Sequence, residues 1–253
     1  MADKPQNPVK SVRKTLEIID IIQERDEVGV TELADELDMN KGTVHSHLAT
    51  LAEEGYVVNE DGRYRLGLKF IDIAHRICRR EEIYDIVEEE VDKLAAESGE
   101  LVLFTVEEQH EGICLYKASG SDAVQTELYV GYRNSLHHTA VGKAILAFKS
   151  EAEIDEIIEA TDLKPHTENT ITDPDVLREE LAEIRERGVA YNRSETIPGL
   201  TGVGAPIRKL DRGVYGAIAV IGPSSRMTEE RLSELANLID GAVNVIEITA
   251  TSM

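Results

Sequence analysis

The chain has 253 residues, of which 42% are hydrophobic, and this is enough for two modest cores. Its 49 Asp and Glu against 27 Lys and Arg give a net charge of −22, which we interpret as an acidic surface adapted to high salt. No apolar run is long enough to span a bilayer, and the N-terminus lacks the apolar stretch of a signal peptide, so we expect a cytoplasmic protein with no membrane partner. The two isolated cysteines, Cys78 and Cys114, exclude a disulfide framework and a zinc knuckle.

Near the N-terminus, residues 11 to 25 have the apolar spacing of an amphipathic helix. Thr31 is expected to cap a short second helix. A third helix is predicted in the stretch NKGTVHSHLATLAEEG, with Asn40 as its N-cap and Gly55 just past its end. Its apolar stripe consists of Val44, Leu48 and Leu51. The opposite side, at the leading end, carries Lys41, Thr43 and Ser46. Such a helix suits a major groove, although an ordinary surface helix is the alternative.

Two β-like runs follow the third helix, at residues 56–58 and 64–66, on either side of an Asp-Gly hairpin signal. Three helices followed by a two-stranded wing predict a winged helix-turn-helix. Arg63 and Arg65 alternate with Tyr64, so both arginines share one face of the ribbon. There they could contact phosphates or the minor groove, with a solvated strand face as the alternative reading.

The residues predicted to bind DNA are Arg13, Lys14, Asn40, Lys41, Thr43, His45, Ser46, Arg63 and Arg65. Residues 1 to 69 contain nine Lys and Arg against fourteen Asp and Glu, a net charge of −5. Counterion release should therefore contribute little to DNA affinity, and base contacts and local basic residues must contribute more.

We expect three segments: a DNA-binding head at residues 1–69, a linker helix at residues 70–82 and a larger domain at residues 83–253. The charged run at residues 79–82 interrupts the helical pattern. The larger domain has predicted strands at residues 101–106, 112–116, 124–129, 189–193, 202–207 and 214–221. Helices are predicted at residues 139–148, 151–159 and 174–188, and a last one starts from residue 228. This order indicates an α+β domain with an antiparallel sheet flanked by helices.

A binding pocket is predicted where Thr139 and Ala140 open a helix, because free amides at a helix start favour an anion. The glycine-rich segment 192–202 could fold over that end as a lid; a helix cap with an ordinary loop is the alternative. The adjacent His137 and His138 are expected to point to opposite sides and to lack further ligands, so no metal is predicted. No catalytic constellation or nucleotide loop stands out, and no cofactor is expected.

The motifs resemble one family along nearly the whole chain. SVRKTLEIID, TELADELDMNKGTVHSHLATLAEEGYV and GRYRLGLK resemble the DNA-binding half of the IclR family of transcription regulators. LHHTAVGKAILAF, TITDPDVLREELAEIRERGVAYNRSETIPGLTGVGAPI and GAIAVIGPSSRMTEERL resemble its effector-binding half. The resemblance implies a GAF-like second domain with a ligand cavity on one face of its sheet, and a homodimer or homotetramer. The effector-binding candidates are His137, Thr139, Ala140, Val141, Asn192, Glu195, Gly202, Ala219 and Ile221.

This chain departs from the family's pattern at both sites. Ala219 and Ile221 are apolar where members that bind small organic acids often carry hydroxyls, so the ligand is expected to be larger, less polar or anchored elsewhere. Asn192 replaces a frequent acidic residue, and Gly202 a frequent cysteine. In the third helix Ser46 replaces a usual arginine, with Gly42 and His47 also atypical, which leaves operator preference open.

The expected function is a ligand-responsive, sequence-specific regulator that binds a double-stranded DNA operator and a small-molecule metabolite. It would control catabolic or metabolic genes. The alternative is a metabolic or sensing enzyme domain fused to a winged helix used for protein contacts. The negative charge of residues 1–69 is the best support for that alternative.

Overall fold

The computed structural model describes residues 7–80, 83–210 and 213–252. The chain divides into two compact units, Met1–Arg80 and Glu81–Met253. The finer expected division, into segments 1–69, 70–82 and 83–253, stays a prediction, and residues 81 and 82 of the expected linker lie outside the described residues. No described helix is both long and apolar enough to cross a bilayer.

The first unit contains helices and short strands. In chain order they are α1 (Lys10–Arg25), β1 (Val28–Gly29), α2 (Val30–Glu36), α3 (Lys41–Glu53), β2 (Val57–Glu60), β3 (Arg63–Leu66) and α4 (Lys69–Cys78). Its core is formed by residues from α1, α2, α3 and the strands, among them Ile18, Ile22, Leu33, Val44, Leu48, Val57 and Tyr64. The predicted helix-turn-helix with a wing is confirmed.

Local capping fixes the third helix. The side-chain oxygen of Asn40 accepts a hydrogen bond from the Thr43 amide at 2.8 Å, and Gly55 adopts a φ of +77° just beyond the helix end. In the wing, Asp61 and Gly62 both have positive φ, which is the two-residue turn that a twisted hairpin favours. Both predictions rested on local sequence signals, whose residues lie within a few positions of each other.

The predicted cap of the second helix is wrong. Helix α2 begins at Val30, with Gly29 as its N-cap, and the Glu32 carboxylate accepts a hydrogen bond from the Gly29 amide at 2.6 Å. The reason is tertiary: Val28 and Gly29 pair with strand β3, in the register Val28 with Tyr64. The chain therefore stays extended up to Gly29, and Thr31 lies inside the first turn. The wing thus has a third strand, in the order β1-β3-β2.

The second unit contains one β-sheet and several helices. These are α5 (Tyr84–Ser98), β4 (Leu101–Glu108), β5 (Glu111–Ser119), β6 (Arg133–Ser135), α6 (Ala140–Leu146), α7 (Glu151–Thr161), α8 (Pro174–Arg187), β7 (Ala190–Arg193), β8 (Leu200–Arg208), β9 (Val214–Pro223) and α9 (Glu229–Thr251). The strands form an antiparallel sheet in the order β6-β5-β4-β9-β8-β7. Helices α5 and α9 pack together against strands of the sheet, and α6 contacts strands β4, β7, β8 and β9. The α+β fold with helices flanking the sheet is confirmed.

The strand predicted at residues 124–129 is wrong. This segment is irregular, and β6 instead pairs with the outer edge of β5, in the register Gly112 with Asn134. Val124, Thr126 and Leu128 are half-buried, whereas the residues between them are exposed. An extended segment with one side against the protein gives the same alternation as a strand, which is why the pattern misled the prediction.

Candidate functional site

The exposed side of α3 carries the predicted base-reading residues. Lys41, Thr43, His45 and Ser46 are exposed, whereas Val44 and the rest of the apolar stripe are buried. The Ser46 hydroxyl donates to the Gly42 carbonyl at 3.0 Å, so one of its hydrogen bonds is already made within the helix. The Asn40 side chain is occupied as the cap. Lys41, Thr43 and His45 therefore present the most available polar side chains of this part of the helix.

The wing arginines are exposed but paired with carboxylates. Arg63 donates to Glu27 at 2.7 Å and lies 3.4 Å from a Glu32 oxygen. Arg65 donates to Glu60 at 2.5 Å. The Arg65 guanidinium lowers the pKa of the Glu60 carboxyl, through the hydrogen bond first and its charge second. Any DNA phosphate must therefore compete with these carboxylates for the arginines.

The two basic candidates of α1 differ in their surroundings. The Lys14 ammonium donates to the Glu17 carboxylate at 2.8 Å and to the Leu37 carbonyl at 3.4 Å. Arg13 is exposed. Lys14 is therefore held by contacts within the unit, and the exposed Arg13 is the more accessible of the two to DNA.

A cavity of about 760 Å³ lies in the second unit. Residues of strands β4 to β9 and of the start of α6 form part of its wall, and the segment 124–128 and the loop 196–198 contribute further residues. Seven of the nine effector-binding candidates line it, namely Thr139, Ala140, Val141, Asn192, Gly202, Ala219 and Ile221. His137 and Glu195 do not line it. The sequence analysis did not identify segment 124–128, Thr105 on β4 or Asn134 on β6 as parts of the cavity wall. Of these, only segment 124–128 had a recognisable pattern, the alternation that we interpreted as a strand.

The loop that we expected to act as a lid is shorter than the predicted segment. Asn192 and Gly202 are register partners in the β7–β8 ladder, so they belong to the sheet and only residues 194–199 form a loop between the strands. The predicted lid over segment 192–202 is corrected accordingly. Thr196, Ile197 and Pro198 of this loop line the cavity.

A buried ion pair holds the loop in place. The Lys143 ammonium, on α6, donates to both carboxylate oxygens of Glu195 at 2.7 and 2.9 Å, and only 1% of the Lys143 side chain is exposed. Burial raises the pKa of the Glu195 carboxyl, and the Lys143 charge opposes this. The Thr170 hydroxyl donates to the Glu195 carbonyl at 2.7 Å. A second carboxylate oxygen, from Glu180, lies 3.7 Å from the ammonium.

A hydrogen-bond network joins the loop to the turn before α6. The Asn192 amide donates to the Thr196 hydroxyl at 2.7 Å and to the His138 carbonyl at 2.9 Å, and the Thr196 hydroxyl donates to the same carbonyl at 2.7 Å. His138 Nδ1 lies 3.0 Å from that hydroxyl. These bonds couple the cavity wall to the start of α6.

The adjacent histidines do not point to opposite sides as expected. They lie in a short 3-10 turn, and the ring centroids of His137 and His138 are 4.9 Å apart. The ring of His166 lies 3.8 Å from that of His138. Burial lowers the pKa of His138 to about 3, so the imidazole is neutral at pH 7. Among the described residues no group of three or more His, Cys, Asp or Glu could hold a metal ion.

The start of α6 depends on a glycine. A Cβ on Gly142 would lie 2.1 Å from the Leu136 carbonyl oxygen, so no other residue fits without moving the backbone. The Gly142 amide donates to the Thr139 hydroxyl at 3.0 Å, which caps the helix. One of the free amides expected to attract an anion is thus already satisfied.

Comparisons with known proteins cover nearly the whole chain. The IclR helix-turn-helix domain matches residues 11–61, and the bacterial transcriptional regulator IclR C-terminal domain matches residues 75–247. A probable HTH-type transcriptional regulator ArcR of Halobacterium salinarum is 36% identical over 245 residues, which cover 95% of this chain and 93% of that protein. The HTH-type transcriptional regulator KdgR of Escherichia coli is 28% identical, over 96% of this chain and 94% of that protein. The crystal structure of the Thermotoga maritima IclR superimposes with a TM-score of 0.82 at 31% identity, over 95% of this chain and 98% of that one.

Proposed function

The chain belongs to the IclR family of transcriptional regulators, and from this premise we propose how its DNA-binding and effector-binding domains work together. Two copies present their α3 helices to a double-stranded operator, and a metabolite in the cavity of the second unit changes the operator affinity. The genes under control are those of catabolism or metabolism, and the protein acts in the cytoplasm. The main support for this proposal is that the same chain has both an exposed polar helix face, packed on a core, and a cavity of about 760 Å³.

The enzyme alternative is set aside. The relatives are named as transcriptional regulators and repressors, a family without enzymatic activity. The negative charge of residues 1–69, which supported that alternative, fits a regulator that works at high salt, and the similar protein from Halobacterium salinarum supports such a setting.

On the DNA side, Lys41 and Thr43 contact base edges in the major groove, with Ser46 and His45 beside them. Arg63 and Arg65 contact phosphates or the minor groove after they release their carboxylates. The residues of α3 would therefore set sequence specificity, since they contact bases. The wing arginines would set the orientation on the duplex, since they contact the backbone.

A homodimer is supported by apolar side chains left uncovered on the first unit. On α1 and just before it, Val9, Val12 and Leu16 are 63%, 56% and 55% exposed. On and before α4, Leu68, Ile71 and Ile77 are 74%, 64% and 58% exposed. Exposed apolar stripes at helical spacing are typical of surfaces covered by a partner. We propose a second copy of this chain as that partner, and a homotetramer would use a further surface.

The effector acts through the cavity wall. A ligand that contacts the loop 196–198 and the start of α6 changes the relative stability of two arrangements of the dimer. The separation of the two α3 helices must match half-sites about one helical turn of DNA apart, so a shift in that separation changes affinity.

A gel-shift experiment tests the DNA-binding role. The wild-type protein should retard a fragment from upstream of its own gene in molar KCl. The double variant Lys41→Ala, Thr43→Ala should bind at least about tenfold more weakly, since each lost base contact costs roughly 1–3 kcal/mol. Glu53→Gln, an exposed change at the far end of α3, is the matched control. Equal retardation by the double variant and the control would contradict the proposal.

A further inference from the structure

The charge of the cavity wall restricts the ligand. Among the described residues, no lysine, arginine or histidine side chain lines the cavity, and Glu127 is the one acidic side chain there. Glu127 is exposed at the rim. An anionic ligand would therefore lose its hydration without gaining a counter-charge, and it would also meet a negative residue at the entrance.

Three basic side chains, on β5, on α6 and in the turn before α6, do not supply a free positive charge to the cavity. Lys143 is fully buried, and its ammonium is held by both oxygens of Glu195. The Lys117 ammonium donates to the Leu128 carbonyl. His138 is neutral, since burial depresses its pKa. None of the three can neutralise a carboxylate in the cavity without breaking a contact that the structure shows or taking up a proton against burial.

The polar groups of the wall differ in what they can still bind. The hydroxyls of Thr139 and Thr201 and the amide of Asn192 are hydrogen-bonded within the protein. Thr105 and Asn134 have no side-chain hydrogen bond to another described residue, and both flank Gly112. Asn134 is the register partner of Gly112, and a Cβ on that glycine would lie 3.1 Å from the Thr105 methyl. Thr105 and Asn134 thus offer open, uncharged polar groups at the β6 side of the cavity, and the phenol of Tyr132 and the amide of Gln125 are further polar groups of the wall.

Much of the remaining wall is apolar. Leu103, Ala140, Val141, Ala219 and Ile221 line it on the sheet and on α6. Helix α6 has only seven residues, and its start offers at most about half a unit of positive charge, so it does not replace a counter-ion.

We propose that the effector of this chain is an uncharged molecule, with an apolar body and a hydroxyl, carbonyl or amide group that meets Thr105 and Asn134. This inference rests on the proposed function, because it assumes that the cavity is the effector site. It narrows that function to one chemical class of ligand, and it sets this chain apart from members that bind small organic acids.

Matched probe pairs test the charge preference. Phenylacetamide with phenylacetate, cinnamamide with cinnamate and hexanamide with hexanoate differ within each pair in charge and little in shape. Thermal shifts of the full-length protein in molar KCl give the affinity of each probe, since a ligand of the folded state raises the melting temperature. At least one amide should bind, and about tenfold or more tightly than its acid.

Two variants locate the effect in the cavity. Thr105→Val keeps the shape of the side chain but removes the hydroxyl, and it should weaken the amide by roughly two- to tenfold. Gln125→Lys adds a cation to the exposed part of the wall, and it should improve the acid roughly threefold without improving the amide. Ser121→Lys adds the same charge on an exposed residue outside the wall, and it should change neither probe.

The possible results distinguish an error in the ligand proposal from an error in the proposed role of the cavity. If the acids bind as tightly as the amides, or more tightly, the uncharged class is wrong while the cavity remains the effector site. If Thr105→Val leaves amide binding unchanged, or Ser121→Lys acts like Gln125→Lys, the placement of the ligand is wrong. If no probe of either charge shifts the melting temperature at millimolar concentration, both this inference and the role of the cavity in the proposed function are overturned.

Discussion

The substitution Glu195→Gln should destabilise the effector-binding unit, because it leaves the Lys143 ammonium buried without its main carboxylate. Removing one partner of a buried ion pair costs about 3–5 kcal/mol. The Glu180 oxygen, 3.7 Å from the ammonium, offsets part of this loss, so we expect the lower end, about 3 kcal/mol. For a unit of this size, that corresponds to a fall in melting temperature of roughly 6–12 °C.

Thermal unfolding followed by circular dichroism measures this change in the full-length protein. The double variant Lys143→Met, Glu195→Gln should recover most of the loss, because no buried charge remains. Glu168→Gln, an exposed acidic residue in the neighbouring segment, is the control and should have no effect. The reasoning is refuted if Glu195→Gln lowers the melting temperature no more than Glu168→Gln does, or if the double variant melts at as low a temperature as Glu195→Gln alone.

Three further predictions concern DNA binding and pH. Arg65→Ala should weaken binding to all duplexes alike, whereas Thr43→Ala should relax preference at one base pair, and fluorescence anisotropy on single-base operator variants separates the two. Glu60→Gln frees Arg65 for a phosphate, so a random duplex should bind roughly threefold more tightly and with a salt slope steeper by about one, while Glu53→Gln changes neither quantity. Burial lowers the pKa of His138 from 6.5 to about 3, so between these values the unfolded chain binds a proton that the folded protein does not. Stability should therefore fall as the pH drops from about 6.5 toward 3, by up to about 1.4 kcal/mol per pH unit, and urea unfolding of His138→Gln across this range should show a shallower slope.

The parts of the fold that sequence reasoning predicted depend on neighbouring residues. Asn40 caps α3 through a bond to an amide three residues away, and Asp173 with Pro174 starts α8 in the same local way. Asp61 and Gly62 supply the positive φ angles of the wing turn. Such signals are short in range, so a single sequence contains them completely.

The features that sequence reasoning missed depend on distant partners. Lys143 and Glu195 are 52 residues apart, and nothing near either one shows that they form a buried pair. Residues 124–129 alternate like a strand, but β6 takes the edge they would have used. The extra wing strand at Val28 exists only because β3 lies beside it. Each outcome was decided by tertiary packing.

The distance between the two α3 helices of a dimer tests the central claim most directly. A spin label on Ala49→Cys reports it, since Ala49 is exposed whereas both native cysteines are buried. Pulsed electron paramagnetic resonance on the full-length protein in molar KCl should give one inter-label distance, compatible with half-sites about 34–36 Å apart when operator DNA is bound. The amide probe that binds most tightly should shift that distance. A sample with no inter-label distance, or a distance that stays the same when the bound probe saturates the cavity, would contradict the account.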